Sequence, residues 1–213
     1  MHQVINALSR VAQRYAPSRI LSFDLVHVFK TLQLMGKYER ISRTILVHEL
    51  GLGEGSIKTL VKHLKMNGLV ETSKGGMWMS DKGLKLYSKF SDVVTSEINI
   101  PECSFNVGKY NHVVLLKNKA SEIGQGIEQR DAAIKMGANG ATTLLYEDGK
   151  FYMPGKNQDF VKTDKSVQQT MIEKLQPENK DVIIIGSAEN KRIAEFAAKN
   201  AALITVSEHK RHF

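Results

Sequence analysis

The chain has 213 residues, 42% of them hydrophobic, which suffices for two modest cores and excludes a disordered class. Its 30 Lys and Arg against 22 Asp and Glu give a net charge of +8, and the excess is uneven. Residues 1–92 hold 14 basic against 7 acidic side chains, a net of +7, whereas residues 93–213 hold 16 against 15. No run of 18 apolar residues occurs and the first segment, MHQVINALSRVAQRYAP, has polar residues throughout, so neither a membrane span nor a secretory signal is expected and the reading is cytoplasmic.

In the first segment Val4, Ile5, Leu8, Val11, Ala12 and Tyr15 recur at helical spacing up to Pro17. That stripe needs a partner surface, either in the same domain or in a second subunit. Thr44 to Leu50 predicts a short helix offering Ile45, Leu46 and Leu50 to a core, after which Gly51, Gly53 and Gly55 permit a sharp turn. The next helix buries Ile57, Leu60, Val61 and Leu64 at i, i+3, i+4 and i+7, with Ser56 at or beside its N-cap and Gly68 ending it. Its other face carries Ser56, Lys58, Thr59, Lys62 and His63, all able to bond a phosphate oxygen or a base edge and none acidic. Leu69 to Glu71 then begins a strand, Ser73 to Gly76 turns, and Met77 to Met79 returns, leaving Lys74 at a glycine-flanked tip. A helix starting near Asp81 offers Leu84, Leu86, Tyr87 and Phe90.

The order helix, turn, helix, basic hairpin, carried by GLGEGSIKTLVKHLKMNGLVETSKGG and the following MSDKG, resembles the winged helix-turn-helix domain of bacterial and archaeal transcription regulators over residues of about 22 to 90. The resemblance implies a recognition helix in the DNA major groove with a basic wing beside it. On this reading Arg43, Ser56, Lys58, Thr59, Lys62, His63 and Lys74 are the DNA-binding residues. Double-stranded DNA is the expected partner, and pairing through the outer helices into a homodimer would set two such helices about 34 Å apart.

The stretch from Glu97 to Gly108, with Pro101, reads as a boundary, and Cys103 within it as a small buried hydrophobe. As the single cysteine it excludes an intramolecular disulfide and a multi-cysteine zinc site. Beyond it, His112–Leu116 and Ala141–Tyr146 read as strands around a helix from Gly126 to Met136. Asp148-Gly149 centres a hairpin turn to Phe151–Met153, and Lys165–Leu175 is a helix. A strand Val182–Ile185, a helix from about Glu189 to Lys199 and a strand Leu203–Val206 complete a right-handed crossover, so a mixed sheet is expected. The segment GIEQRDAAIKMGANGATTLLYEDGKFYMPG is similar to an uncharacterised archaeal family that joins a winged helix to an α/β domain of unknown function. That likeness implies an architecture and assigns no activity.

The fold class expected is α+β: a winged helix-turn-helix domain over residues 1–95, a linker over 96–108, and a small α/β domain with a mixed sheet over 109–213. In the last, Gln129, Arg130 and Asp131 read either as ion-paired helix surface or, with the Asn139 turn, as the lining of a small-molecule effector site. Gly186 and Ser187 read as an anion-binding strand end or simply as a helix cap. No catalytic constellation or cofactor motif is found, and no metal-ligand spacing beyond the terminal-tail pair His209 and His212. The function expected is therefore a sequence-specific DNA-binding transcription regulator, whose C-terminal domain senses a small molecule or mediates assembly. The alternatives are an enzyme with an appended winged helix and a protein-interaction scaffold.

Overall fold

The computed structural model describes residues 2–15, 20–156, 159–161 and 164–207. The chain divides into two units, Met1–Phe90 and Ser91–Phe213. His209 and His212 lie outside the described residues. Among the described residues no helix is long and apolar enough to cross a membrane.

The N-terminal unit contains α1 (His2–Val11), α2 (Leu25–Lys37), α3 (Arg43–Leu50), α4 (Glu54–Met66), the hairpin β1 (Val70–Ser73) and β2 (Gly76–Met79), and α5 (Asp81–Ser91). Val4, Ile5, Leu8 and Val11 of α1 are buried, and α1 packs on α2 and α4. The stripe therefore finds its partner within its own unit and requires no second subunit.

Helix α2 is not among the expected elements, although Leu25, Val28, Phe29, Leu32 and Met35 fall at i, i+3, i+4, i+7 and i+10. Asp24 caps it, its side chain accepting from the Val26 amide at 3.2 Å. Val26, Val28, Phe29, Leu32 and Met35 are all buried, and so are His27, Lys30 and Thr31, which encloses the helix on most sides. At Gly36 a Cβ would lie 2.4 Å from the ring of Tyr87 on α5, so a larger residue there would push the tip of that side chain aside.

Helix α3 starts at Ser42, whose hydroxyl accepts from the Ile45 amide at 3.3 Å. It stops at Gly51, which takes the left-handed conformation with φ 66°. Leu46 and Leu50 are buried, but Ile45, expected in the core, remains 38% exposed. It lies about 100° around the helix from Leu46 and so off the buried side. In α4 the four residues Ile57, Leu60, Val61 and Leu64 are buried as their spacing requires. Gly53 rather than Ser56 is its N-cap, and Ser56 lies inside the first turn. The strands of the hairpin pair from Val70↔Met79 to Ser73↔Gly76. Ile41 ties them to the start of α3 through two backbone bonds with Met77, at 3.0 and 2.9 Å.

The C-terminal unit is a five-stranded sheet, β3 (Val94–Ile100), β4 (Tyr110–Leu116), β5 (Gly140–Glu147), β6 (Lys150–Tyr152) and β7 (Asp181–Ala188), in the order β3-β4-β7-β5-β6. All of its pairs are antiparallel. Central β7 is buried along its whole length. The helices are α6 (Ile127–Lys135), α7 (Lys165–Leu175) and α8 (Lys191–Ser207). Val167, Met171 and Leu175 of α7 meet Val113, Leu115, Leu144, Ile183 and Ile185 on one face. An alanine-rich layer, Ala133, Ala138, Ala188, Ala194 and Ala197, joins α6 and α8 to the other.

The α+β class holds, with three corrections in this unit. The sheet is antiparallel throughout, not mixed, because residues 203–206 continue α8 instead of forming a strand. A short apolar run has no period that separates strand from buried helix, and the preceding alanines carry the helix through it. The linker expected at 96–108 is taken up over residues 96–100 by β3, an edge strand paired with β4, and the division between units falls at Phe90 and Ser91. At the β5–β6 turn Asp148 and Gly149 both have positive φ, 47° and 79°, the pair that a two-residue primed turn demands.

Candidate nucleic-acid interface

The outer side of α4 borders an open groove of about 800 Å³. Its lining includes Arg14, Arg43, Lys58, Lys62 and Lys65 and contains no carboxylate. A concave surface carrying five cations concentrates polyanions, although Glu54, at the start of α4, lines an adjoining hollow that shares Arg43 and Lys58. A second hollow of about 500 Å³ runs beneath the hairpin, lined by Ser42, Arg43, Thr72, Ser73, Lys74, Gly75, Gly76 and Met77, again without an acidic residue. Arg43, the first residue of α3, borders both. At the hairpin base the guanidinium of Arg40 sits 4.5 Å from the ring centre of Trp78.

Of the residues singled out from the sequence, Lys58, Lys62, Arg43 and Lys74 are exposed. Ser56 and Thr59 are half-buried, and the Thr59 hydroxyl donates to the Gly55 carbonyl at 3.0 Å, within its own helix. His63 is a correction: it is 6% exposed and faces inward. Its Nδ1 lies 2.8 Å from the Val11 carbonyl oxygen, which only accepts, so that nitrogen carries a proton and donates. The rings of Tyr15 and Phe23 stand edge-on to it at 4.5 and 5.5 Å. His63 thus fastens the end of α1 to α4. A helical wheel misplaces it because its inward neighbour, the end of α1, is 52 residues away in sequence. Arg14 and Lys65 were missed. Lys65 was legible, since Lys58, Lys62 and Lys65 fall at i, i+4 and i+7; Arg14 was not, because only packing brings its segment beside α4.

In the C-terminal unit the expected ligand residues are not gathered. Gln129 is 1% exposed and donates through Nε2 to the Thr205 hydroxyl at 2.9 Å, on the inner side of α6. Arg130 and Asp131 pair with each other at 3.0 Å on its outer side. Asn139 donates to the Val107 carbonyl at 2.8 Å and to Glu189 Oε1 at 3.1 Å. Ser187 is no helix cap: it lies fully buried within β7, and Asn190 caps α8 by accepting from the Arg192 amide at 2.9 Å. Gly186 is a packing residue, since a Cβ there would lie 2.4 Å from the Ala194 carbonyl oxygen. A hollow of about 350 Å³ over the β5–β6 hairpin is lined by Leu145, Glu147, Tyr152, Met153, Gly155 and Lys156, none of them in the expected set.

A charged cluster joins β3, β4 and α8. Lys199, 2% exposed at its side chain, contacts Glu195 at 2.6 Å and Glu97 at 3.2 Å, and His112 reaches Glu97 at 3.5 Å. Glu97, His112 and Glu195 present three ligand atoms within 4.8 Å of one another, but the Lys199 ammonium already supplies the positive charge there. Burial opposes the charge on Glu97. The His112 hydrogen bond and the Lys199 ammonium outweigh it and hold the carboxyl at about 2, down from 4.5. The folded value lies below the unfolded one, so the stabilisation is present above pH 4.5 and is lost as pH falls toward 2. At full weight that fall corresponds to about 3 kcal/mol, and solvent screening of a side chain one third exposed reduces it to about 1–2 kcal/mol. Urea unfolding at about pH 6 and about pH 3 should show the wild type losing that much more stability than Glu97→Gln; parallel losses would reject the role.

Residues 25–94 match the family described as the CggR N-terminal DNA binding domain, and residues 107–206 match a domain of unknown function (DUF4443). Among solved structures the chain is similar to a hypothetical protein, PH0730, from Pyrococcus horikoshii OT3. The likeness has 25% identity and a TM-score of 0.70, over 86% of this chain and 93% of that one. No curated protein is matched. The chain therefore joins, in one polypeptide, an N-terminal region similar to the CggR N-terminal DNA binding domain and a C-terminal region similar to a domain of unknown function, DUF4443.

Proposed function

We propose that the protein is a sequence-specific, DNA-binding transcription regulator of the winged helix-turn-helix kind. Helix α4 enters the major groove and the β1–β2 hairpin serves as the wing. The observation that carries this reading is the groove beside α4 with five basic residues and no acidic one, on a unit similar to a DNA-binding domain. In it Lys58 and Lys62 contact phosphates or base edges, Ser56 and Thr59 approach the bases, and Arg43, Lys74, Arg14 and Lys65 hold the backbone. His63 keeps a structural role. The C-terminal unit senses a small molecule or mediates assembly, and the hollow over the β5–β6 hairpin is the place for an effector.

Selection from a pool of random duplexes, followed by a salt series on the enriched sequence, tests this. Enrichment of one sequence class, bound at least about a thousandfold more tightly than random duplex, is the expected result. Uniform retention of the pool at every salt concentration would reject sequence-specific regulation.

A further inference from the structure

Arg40 belongs to the connection between α2 and α3, outside both α4 and the hairpin, and it is exposed. Its side chain nevertheless lies along the hairpin. Gly76 and Trp78 share one face of β2, because strand residues two apart point the same way. A Cβ built on Gly76 would meet the Arg40 Cγ at 2.8 Å and its Cδ at 3.3 Å, and one built on Gly75 would meet its Nη1 at 3.0 Å. The stem thus crosses the space that Gly76 leaves empty, and the guanidinium carbon rests 4.5 Å from the centre of the Trp78 ring. Among the described residues Arg40 forms no hydrogen bond or ion pair. Glu71 stands opposite Trp78 in the register and Glu39 precedes Arg40 in the chain, yet neither pairs with it. A guanidinium held over a ring by its charge, with its N–H donors otherwise unused, is ready to take a phosphate oxygen.

We propose, on the DNA-binding reading above, that Arg40 seated on Trp78 is a phosphate-binding residue on the outer face of the wing. The hollow beneath the hairpin, with Arg43 on its rim, takes in Thr72 and Met77. These two are cross-strand partners, and their side chains lie on the face opposite Gly76 and Trp78. The hairpin therefore carries a cation on each of its faces, Arg43 on one and Arg40 on the other. A minor groove is about 6 Å wide and has a phosphate wall on either side, so an element placed in it meets both strands. Cations on both faces of the hairpin match those two walls. Trp78 is a positioning residue: by holding a long side chain in place it lowers the ordering cost of the contact.

Trp78 is the single tryptophan of the chain, so intrinsic fluorescence reads this spot alone. Binding is followed separately, by the anisotropy of an end-labelled random-sequence duplex, because a phosphate contact needs no particular sequence. Saturating duplex should shield Trp78 from quenching by acrylamide. Arg40→Ala should weaken binding about tenfold, since a charged hydrogen bond is lost. It should also make the plot of log affinity against log salt shallower by about 0.9, with the melting temperature unchanged because the side chain is exposed. Arg40→Lys keeps the charge but not the planar fork, so it should restore the slope and only part of the affinity. Trp78→Leu, which leaves Arg40 without its seat, should cost about threefold at unchanged slope; if that variant fails to fold, the two Arg40 variants decide.

An Arg40→Ala protein with wild-type affinity and slope would overturn the proposal. So would a loss of affinity at wild-type slope, which is what a merely structural role gives, and so would a Trp78 equally open to acrylamide with duplex bound. In each of these cases the anisotropy still reports binding and the DNA-binding reading survives. A wild type that binds no duplex at any salt concentration removes both.

Discussion

Changing Lys58 and Lys62 together to Ala should lower affinity for the selected duplex about a hundredfold at physiological salt. Both side chains are exposed on the solvent side of α4 and line the groove, whose own lining holds no carboxylate; Glu54 shares an adjoining hollow with Lys58. A hydrogen bond from a charged donor contributes about 1.5–3 kcal/mol, so each lysine accounts for roughly tenfold or more. If both contact phosphates, the plot of log affinity against log salt should become shallower by about 1.8, because two fewer counterions are released. Lys150, exposed at the β5–β6 turn, provides the comparison: Lys150→Ala should change neither affinity nor slope. A double variant with wild-type affinity and slope would remove α4 from the interface. A loss of affinity at unchanged slope would instead place the two lysines on base edges. His63→Ala should act differently, destabilising the N-terminal unit by opening the joint between α1 and α4.

The second large effect concerns stability. Gly186→Ala should destabilise the C-terminal unit by about 3 kcal/mol and lower its melting temperature by about 10 °C. The added Cβ would lie 2.4 Å from the Ala194 carbonyl oxygen and 2.5 Å from the Ala198 nitrogen. Both are backbone atoms of α8, so neither can swing aside, and the helix must move off the central strand to make room. Gly149→Asn is the contrast. That glycine has φ 79° but no atom within 4 Å of a built Cβ, and asparagine tolerates the left-handed region, so the cost should stay under about 1 kcal/mol. Were Gly186 instead a place where an anion approaches the backbone, its replacement by Ala would leave the melting temperature unchanged. Thermal unfolding followed by circular dichroism separates the two readings.

Much of the fold could be read locally, and the misreadings have a common origin. Helix α7 begins and ends where its pattern predicts, and the Asp148-Gly149 turn is written in two residues that accept positive φ. The stripe Ile57, Leu60, Val61 and Leu64 points inward because one side of α4 is apolar and the other is not. Helix α2 was as legible, since Leu25, Val28, Phe29, Leu32 and Met35 keep helical spacing; that His27, Lys30 and Thr31 are buried as well depends on its neighbours. Residues 203–206 are equally apolar as a strand or as the end of α8, and the contacts across the sheet decide between them. Strand β3 alternates weakly, with an irregularity between Val94 and Ser96, and is recognisable as a strand only from its pairing with β4.

The same division separates the residues of the candidate site. The sequence by itself determined the helix, turn, helix and hairpin order, the basic excess of the first 92 residues and the outward direction of Lys58 and Lys62. Each of these follows from periodicity, capping or charge within a few residues along the chain. Only the tertiary structure decided that His63 faces inward, that Arg14 joins the groove, and that Gly186 serves packing. It also decided that Ile127 and Ile134 remain uncovered. Those outcomes depend on which distant segment comes to lie against a given side chain, and burial and hydrogen bonding are properties of that neighbour as much as of the residue itself.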